Sequence, residues 1–592
     1  MDFSATQGEI SSGLKDKPFL PIALLVLTCT LVYFNSLFNG FVFDDVGTIV
    51  ENKYIKDLAK NLPSFFNASY FKIANIEASY RPVATFSYFL LYAVFDLNPF
   101  GYHLFSLVLH ILNVILVYLL MGAIRQNKTT SFTAGLLFAC HPALTEAINC
   151  VSYNEDLLAT LFFLWSLLFY ISGKAGEKKS ELRFYFFSLI FFLCGLLSKE
   201  MAVTLPAVIL LYDILSQTAH RQPSVKRIIK TITHRKFFYL GYIAIGLFYV
   251  SLRFFILSDP QASAPYSYGS LLERIIYLPA HLFGFLKIAV FPFNLNAYYV
   301  FSYPKSFFEI TNIIAYMTIL GLIVVSLLIY KNSKALSFGF WWFFITLFPV
   351  YNLVEIMNPI ADRYLYLPLV GFCIAVSIFL NETLGRILKH RINNTGVVKI
   401  LTIILILVAY SSMTVARNRD WKDNFSLWTQ TVESSPNSSI AHGSLGRAYQ
   451  DRGLFKEAIA EYKKAVQLNP ADFKAYYNLG LIYEKQGLLE DAIHYYKKSI
   501  GNNPGYLDSH FNLANIYTQQ GLLDRAVPHY KKAIEIDPQD FEARNNLGVV
   551  YASQGKLNMA VSEWQKVLEI DPENQFAKEN ILKAKKMIKN EN

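Results

Sequence analysis

The chain has 592 residues, of which 53% are hydrophobic and 16% are aromatic, and its formal net charge is +10. Only 17% of the residues are charged, against about 25% in a soluble globular protein. This composition excludes a wholly soluble fold, and the placement of the basic residues in short segments between apolar runs argues against a nucleic-acid-binding protein.

Apolar runs follow one another from residue 18 to residue 416. Runs of about 17–25 apolar residues cross a bilayer as helices. The predicted spans are 18–38, 101–124, 132–149, 154–172, 183–198, 200–216, 237–257, 311–330, 336–352, 364–381 and 398–416. Segments 83–97 and 275–292 are short or charged, and we expect them to lie at the interface or to re-enter the membrane. The total is therefore eleven spans, or thirteen if both segments cross.

Basic residues cluster between the predicted spans and set the expected topology. The groups lie at 125–128, 174–183, 221–236, 331–334 and 386–399, and the positive-inside rule assigns them to the cytoplasm. They alternate correctly with the spans if the N-terminus is cytoplasmic, and everything after Ala416 then lies outside the cytoplasm. The loops 39–82 and 258–310 fall on that outer side, and loops of this length are usually functional.

A 34-residue period runs through residues 439–574 and predicts four tetratricopeptide repeats (TPRs), each a helix–turn–helix unit. Glycine, proline and tyrosine recur in register at Gly453, Gly487, Gly521, Gly555, Pro470, Pro504, Pro538, Pro572, Tyr449, Tyr483, Tyr517 and Tyr551. Residues 575–592 are predicted to form a capping helix, and 417–438 a connector with half a degenerate repeat. The expected architecture is all-α, a membrane helix bundle at 1–416 followed by an α-solenoid.

Two adjacent acids, Asp44 and Asp45, follow the first predicted span. Carboxylates beside a bilayer are costly unless they face water or a partner. A carboxylate at the membrane boundary can take a proton from a hydroxyl that attacks a lipid-borne donor. The pair is thus a candidate catalytic centre, and the alternative is a solvated loop start that caps a helix.

Four cations on the same predicted membrane face are candidates for holding a phosphate group. They are Arg81, Lys199, Arg253 and Arg363. Arginine binds phosphate in bidentate fashion, whereas any one of these side chains alone could simply snorkel to the headgroups. Four cations against the positive-inside bias favour the phosphate interpretation.

Further polar residues lie within or beside the predicted spans. Intramembrane polar residues are functional candidates, and a packed contact between helices is the alternative. The supporting residues selected on this ground are His141, Glu146, Asp156 and Glu200. In the repeats, Asn478, Asn512 and Asn546 recur every 34 residues and predict an amide ladder that binds an extended peptide, unless these residues only pack the groove.

Taken together, these motifs resemble the transmembrane-and-TPR-containing (TMTC) O-mannosyltransferases and their bacterial relatives, within the GT-C superfamily. The stretches that carry the resemblance are 43–45, 81–82, 141–147, 199–200, 361–368 and 417–421, followed by the repeats. The resemblance implies a polyprenyl- or dolichyl-phosphate sugar donor, inversion at the anomeric carbon, and a catalytic role for Asp44 and Asp45, with Asp44 taken as the base. Asn154 stands where the family usually has arginine, which puts any contact of that arginine in doubt.

The resemblance implies transfer of a mannose-like sugar to a protein hydroxyl on the non-cytoplasmic face, with the repeats recruiting the acceptor. Alternatives are a catalytically inactive membrane-anchored scaffold, a lipid transporter, and a transferase that modifies a glycan or lipid. A divalent metal at the acidic pair is conceivable because hard cations prefer oxygen ligands, but the sequence offers no complete ligand set. The short repeat array favours a bacterial inner membrane with periplasmic repeats over the endoplasmic reticulum.

Overall fold

The computed structural model describes residues 19–56, 80–175, 178–217, 225–257, 270–300, 308–353, 356, 358–384 and 394–591. Throughout these ranges the regular elements are helices and no strand occurs, so the predicted all-α class is confirmed. The chain divides into two compact units, Met1–Gln430 and Thr431–Asn592. Parts of the two predicted outer loops, at 57–79, 258–269 and 301–307, lie outside the described residues.

The first unit is a bundle of apolar helices. Its helices are α1 (Phe19–Tyr33), α2 (Pro82–Phe95), α3 (Pro99–Arg125), α4 (Lys128–Cys140), α5 (Thr145–Asn149), α6 (Asn154–Ala175), α7 (Lys178–Ser198), α8 (Leu205–Gln217), α9 (Val225–His234), α10 (Lys236–Leu257), α11 (Leu271–Val290), α12 (Ile310–Asn332), α13 (Lys334–Leu347), α14 (Pro368–Ile378), α15 (Thr395–Asp420) and α16 (Asn424–Ser434).

Six segments of the described chain are long and apolar enough to cross a membrane. They are Phe19–Phe38, Pro99–Arg125, Val151–Ala175, Ser180–Ser198, Ile310–Tyr330 and Thr395–Asp420. Shorter apolar helices accompany them at Pro82–Phe95, Lys334–Val350 and Pro368–Thr383. The predicted membrane bundle is confirmed, whereas the total of eleven to thirteen spans and their orientation stay predictions.

Several predicted spans are not continuous α-helices, and two of them break beside residues that the sequence analysis selected. The span predicted at 132–149 ends at Cys140, because Pro142 disfavours helical geometry at His141, which is extended at φ −68° and ψ 121°. The span predicted at 200–216 starts with a 3-10 turn, Glu200–Thr204, and becomes α-helical only from Leu205. Irregular backbone at membrane depth is tolerated only where protein buries it or it lines a cavity, so these breaks mark places where a site can form.

The second unit consists of four helix pairs and a terminal helix. Its helices are α17 (Ser439–Asp451), α18 (Phe455–Leu468), α19 (Phe473–Lys485), α20 (Leu489–Asn502), α21 (Leu507–Gln519), α22 (Leu523–Ile536), α23 (Phe541–Ser553), α24 (Leu557–Ile570) and α25 (Gln575–Glu591). The repeated glycine after the first helix of each pair has φ between +73° and +75°, a left-handed conformation that glycine adopts without strain. The predicted repeat fold is confirmed.

One position pairs the two helices of every repeat through side chains 19 residues apart. The contacts are His442–Glu461 (Nδ1 to Oε2, 2.6 Å), Tyr476–Tyr495 (ring centroids 6.4 Å apart), His510–His529 (Nδ1 to Nδ1, 3.0 Å) and Arg544–Glu563 (Nη1 to Oε2, 3.2 Å). Two of the other pairs join a basic side chain to a carboxylate, and one stacks two tyrosine rings. The His510–His529 pair differs, because a proton can bridge the two rings only while one of them is neutral.

The His510–His529 pair should make the third repeat acid-sensitive. Burial, His510 and Lys497 lower the pKa of His529 to about 4, and burial lowers that of His510. The unfolded chain takes up these protons near pH 6.5, so the stabilisation is full above that pH and is lost as the pH falls towards 4. Amide exchange of α21 and α22 in the full-length protein, corrected for intrinsic rates, should show about tenfold lower protection at pH 5 than at pH 7.5.

The repeat itself supplies the control for this experiment. His529→Glu recreates the pairing of His442 with Glu461, in which a protonated histidine gains a partner. Protection of α21 and α22 in this variant should change less than about twofold over the same range. Equal acid sensitivity of wild type and variant would show that other groups are responsible.

Candidate active site

The loop after α1 is held against the end of the last membrane helix. Asn39 Nδ2 donates to Asn149 Oδ1 at 2.9 Å and to the Asn418 carbonyl at 3.0 Å. The backbone N–H of Gly40 donates to the Lys422 carbonyl at 2.9 Å. The bond to Asn418 joins positions 379 residues apart in sequence, and the three bonds together fix the position of the acidic pair that follows.

Phe43, the residue before the acidic pair, has a left-handed backbone with φ of +55°. This conformation is strained for a bulky side chain and persists only where the surroundings impose it. Its N–H donates to Asn424 Oδ1 at 2.8 Å, and its ring packs edge-on against Trp428 at 5.2 Å. The resulting turn sends the next two carboxylates in different directions.

Asp45 points into the protein and is fully buried. Oδ1 accepts from the Ser152 N–H at 2.7 Å, Oδ2 accepts from the Val42 N–H at 3.2 Å, and Cys150 Sγ lies 3.3 Å from Oδ1. Burial raises the pKa of Asp45 to about 6, although these hydrogen bonds oppose the shift. Asp45 therefore ties the loop to the irregular segment after α5 and has no free face for a substrate.

Asp44 is exposed and is the member of the pair that a substrate can reach. Its Oδ2 accepts a hydrogen bond of 2.5 Å from the hydroxyl of Tyr153. The guanidinium carbon of Arg363 lies 4.3 Å from the centroid of the Tyr153 ring, a cation–π contact. Arg363 in turn binds the fully buried Glu146, through its side chain to Oε1 and through its backbone N–H to Oε2 at 3.0 Å.

The other predicted cations lie in a second chain of ion pairs. Lys199 Nζ contacts Asp156 Oδ2 at 2.6 Å and Glu155 Oε1 at 2.9 Å. Arg81 bonds to Glu155 and to Glu200, the latter at 2.8 Å. The series ends at Arg253, whose Nη1 lies 3.4 Å from Glu200 Oε2.

These alternating charges keep the network ionised. Burial lowers the pKa of Lys199, but the charges of Asp156 and Glu155 raise it above its ordinary value. Glu200 likewise lies between two cations, Arg81 and Arg253. Each cation already has a carboxylate partner, so a phosphate would have to share or displace one. Arg253, with 33% of its side chain exposed, is the most accessible, and the phosphate-binding roles stay predictions.

His141 lies apart from both groups. Its Nε2 is 3.0 Å from the Ala289 carbonyl and its Nδ1 accepts from the Ala143 N–H at 3.3 Å. This pattern corresponds to a neutral ring that carries its proton on Nε2. His141 therefore holds the break between α4 and α5 against α11 and does not face Asp44.

Sequence reasoning missed Tyr153, and it noted Glu155 beside Asp156 without selecting it. These two residues connect the predicted residues to one another. Tyr153 bridges Asp44 and Arg363, and Glu155 bridges Arg81 and Lys199. The available signal was their place directly beside Asn154 and Asp156, at the start of a predicted span. Aromatic and acidic residues are common at membrane interfaces, so this position alone did not mark them.

For the predicted divalent metal, the described part of the chain contains no group of three or more His, Cys, Asp or Glu side chains that could hold a metal ion. Both oxygens of Asp45 already accept hydrogen bonds from backbone N–H groups. The residues at the acidic pair therefore do not fit a metal ion, and no step below depends on one.

The predicted amide ladder of the repeats is half-buried at all three positions. Asn512 Nδ2 lies 3.4 Å from the Tyr477 hydroxyl and 3.3 Å from the Tyr496 hydroxyl, and Asn546 Nδ2 donates to Asn515 at 3.2 Å. Asn478 occupies the equivalent place one repeat earlier. Two of the three amide nitrogens thus bond within the solenoid, and peptide binding by Asn478, Asn512 and Asn546 stays a prediction.

Family models match both units of the chain. The model for dolichyl-phosphate-mannose-protein mannosyltransferases matches residues 80–252. This range includes Glu146, Tyr153 and every member of the ion-pair network except Arg253. Models for tetratricopeptide repeats match 446–487, 473–506, 514–555 and 541–574. The acidic pair and Arg363 lie outside the mannosyltransferase match.

Curated relatives are protein O-mannosyl-transferases of animals. The chain is 25% identical to F38B6.6 of Caenorhabditis elegans, 27% to human TMTC1 and 24% to mouse TMTC3. These alignments cover 75%, 75% and 77% of this chain and 62%, 54% and 52% of the respective relatives. The chain thus spans a little over half the length of the relatives it matches. Together with the family models they confirm the resemblance to the TMTC O-mannosyltransferases.

Solved structures with similarity to this chain cover about a quarter of it. The TPR protein YrrB is 24% identical, with 28% of this chain and 84% of that protein covered and a TM-score of 0.26. A MamA structure is 29% identical, with 26% and 82% covered and a TM-score of 0.24.

Proposed function

We propose that this homologue of the TMTC O-mannosyltransferases transfers mannose or a similar sugar from a polyprenyl- or dolichyl-phosphate donor to a protein hydroxyl. The enzyme is an integral membrane protein, and the reaction takes place on its non-cytoplasmic face. The observation that carries the proposal is the exposed carboxylate of Asp44, held on a strained and anchored loop beside Tyr153, Arg363 and Glu146. The names of the relatives support the class of sugar.

Asp44 acts as the base in the proposed reaction. Its carboxylate takes the proton of the acceptor hydroxyl while that oxygen attacks the anomeric carbon. The bond between that carbon and the donor's phosphate oxygen breaks, and the lipid phosphate leaves with the electron pair. A single displacement inverts the anomeric centre and needs no covalent enzyme intermediate, as in an inverting GT-C enzyme. Asp45 positions Asp44 by anchoring the loop.

Cations near the site stabilise the charge that develops on the leaving phosphate. Arg363 contacts the ring of Tyr153, whose hydroxyl binds Asp44. Arg253 is the most exposed cation of the second network and lies at its end. Buried carboxylates hold these cations in place, so the site pays little reorganisation when the phosphate arrives.

We assign the repeats to acceptor recruitment, because solenoids of this kind commonly bind peptides. The alternative acceptors are glycans and lipids, in which case the repeats would recruit other envelope proteins. The second candidate function is a catalytically inactive scaffold, and the observation that supports it is the array of tetratricopeptide repeats, since solenoids offer extended binding surfaces. The anchored, exposed Asp44 favours the enzyme.

The test is transfer by the purified full-length protein in nanodiscs. A panel of radiolabelled polyprenyl-phosphate sugars is incubated with the protein and a cell-envelope extract. Label in protein supports the proposed reaction and identifies the sugar. Label in glycan or lipid retains the enzyme but contradicts the protein acceptor, and no transfer from any donor favours the scaffold.

Tyr153→Phe should lower kcat about tenfold with little change in KM for the donor. The variant keeps the ring against Arg363 but removes the hydroxyl that orients Asp44. The matched control is Tyr364→Phe, since Tyr364 also lies beside Arg363, with its centroid 5.0 Å away. Steady-state kinetics in which both variants lose the same activity would contradict an orienting role for the Tyr153 hydroxyl.

A further inference from the structure

The helix that follows the last membrane helix, α16, reaches back to the acidic loop. Asn424 and Trp428 lie four residues apart and therefore on the same face of α16, and both contact Phe43. Asn424 Oδ1 accepts the N–H of Phe43 at 2.8 Å across a separation of 381 residues in sequence. The rings of Phe43 and Trp428 meet edge-on with their centroids 5.2 Å apart. Part of the surroundings of Asp44 therefore comes from α16.

The first turn of α16 holds these two side chains in place. Asp423 caps the helix, because its Oδ1 accepts the backbone N–H of Ser426 at 2.7 Å. Leu427 and Trp428 are buried, with 0% and 4% of their surface exposed, so one side of the helix is packed into the protein. A capped and packed helix fixes the acceptor oxygen of Asn424, and the acidic loop has to adapt to it.

Phe43 is the residue whose backbone decides where Asp44 points. Its φ of +55° is left-handed, a conformation that is strained for a bulky side chain. Strain at such a residue is similar in size to the contribution of one or two hydrogen bonds. The contacts of Phe43 with Asn424 and Trp428 are therefore large enough to select the left-handed conformation, which leaves Asp44 exposed and Asp45 buried.

The ring of Phe43 connects α16 with the partner of Asp44. It lies edge-on to the ring of Tyr153, with the centroids 6.5 Å apart. The hydroxyl of Tyr153 donates to Asp44, and its ring contacts Arg363. Asp44 thus depends on α16 in two ways, through the backbone of Phe43 and through the contact of the Phe43 ring with Tyr153.

We propose that Asn424 and Trp428 are positioning residues, which keep Phe43 left-handed and thereby direct the carboxylate of Asp44 towards the acceptor hydroxyl. This inference rests on the proposed function and extends it, since it gives a role in proton transfer to the helix after the last membrane helix. Neither residue touches a substrate, and both act through Phe43. Their effect on transfer therefore depends on which residue stands at position 43.

The first test is steady-state transfer by the full-length protein in nanodiscs. Asn424→Ala should lower kcat about tenfold with little change in KM for the donor, because the base is misdirected while the donor still binds. Asn424→Asp keeps the acceptor oxygen and should stay within about threefold of the wild type. Thr429→Ala is the matched control on α16, since the Thr429 hydroxyl has no hydrogen-bond partner among the described residues, and it should change kcat less than about twofold.

Phe43→Gly separates positioning from a general effect on stability. Glycine adopts a positive φ without strain, so it no longer needs Asn424 to hold that conformation, and it has no ring to pack against Trp428. Asn424→Ala and Trp428→Leu should each lower kcat about five- to tenfold with Phe43 present, and less than about twofold with glycine at 43. Equal losses in the two backgrounds would overturn the positioning role, and thermal melts of all variants check that each is folded.

Amide exchange tests the same link without turnover. In Asn424→Ala the segment 40–46 should exchange about tenfold faster than in the wild type, because the N–H of Phe43 loses its acceptor, whereas exchange of α3 should not change. Unchanged exchange and kcat in this variant, with transfer by the wild type intact, would overturn the inference alone. Faster exchange of the loop, without transfer by the wild type from any donor, would uphold the control of the loop by α16 and contradict the transferase.

Discussion

Asp44→Asn should reduce transfer at least about 1,000-fold while leaving the melting temperature within about 1 °C of the wild type. Asparagine preserves the shape of the side chain but cannot take the proton of an acceptor hydroxyl. The carboxylate is exposed and, among the described residues, accepts a side-chain hydrogen bond from Tyr153 alone, so its replacement has little effect on folding. The measurement is transfer of labelled sugar in nanodiscs, together with a thermal melt.

Asp45→Asn is the matched control because it makes the same chemical change at the adjacent residue. Here the amide would face the N–H of Ser152 or Val42, leaving a buried donor without an acceptor at a cost of about 1–3 kcal/mol. This variant should therefore melt at a lower temperature and lose activity in proportion to the loss of the anchored loop. If Asp45→Asn abolished transfer with an unchanged melt and Asp44→Asn remained active, the roles of the two acids would be the reverse of those proposed.

Glu146→Gln should destabilise the membrane unit by about 3–5 kcal/mol, since it leaves the buried charge of Arg363 without its partner. Arg363→Gln should have a similar effect, because it leaves the carboxylate of Glu146, which is fully buried, without a cation. The double variant should recover at least half of the stability, as no uncompensated charge then remains. Thermal melts of the full-length protein measure this cycle.

Activity distinguishes a structural ion pair from one that also serves the site. The double variant should stay at least about 100-fold less active than the wild type, because a neutral side chain at 363 cannot stabilise the departing phosphate. Arg125→Gln with Glu382→Gln is a suitable comparison, since that pair (Nη2 to Oε2, 2.6 Å) is remote in sequence from the acidic loop. Recovery of both stability and activity in the Glu146–Arg363 double variant would confine this pair to a structural role.

The sequence by itself determined the architecture. Membrane helices and 34-residue repeats are encoded locally, in the length of apolar runs and in a period that glycine and proline impose on each unit. The same local information selected the acidic pair and most of the buried charges, since charged residues within or beside membrane spans are rare and usually functional. The same local information wrongly predicted continuous spans at 132–149 and 200–216. Apolar composition does not reveal where a helix is interrupted, because the hydrogen bonds of the interrupted backbone come from distant segments.

Only the tertiary structure decided which polar residues act together. Asp44 and Asp45 are equivalent in sequence, yet contacts with Ser152, Cys150 and Asn424 bury one and expose the other. Tyr153 was selected in the same way, because its hydroxyl contacts Asp44 and its ring contacts Arg363. The physical reason is that the function of a polar group depends on which of its hydrogen bonds are already made, and those bonds come from residues hundreds of positions away.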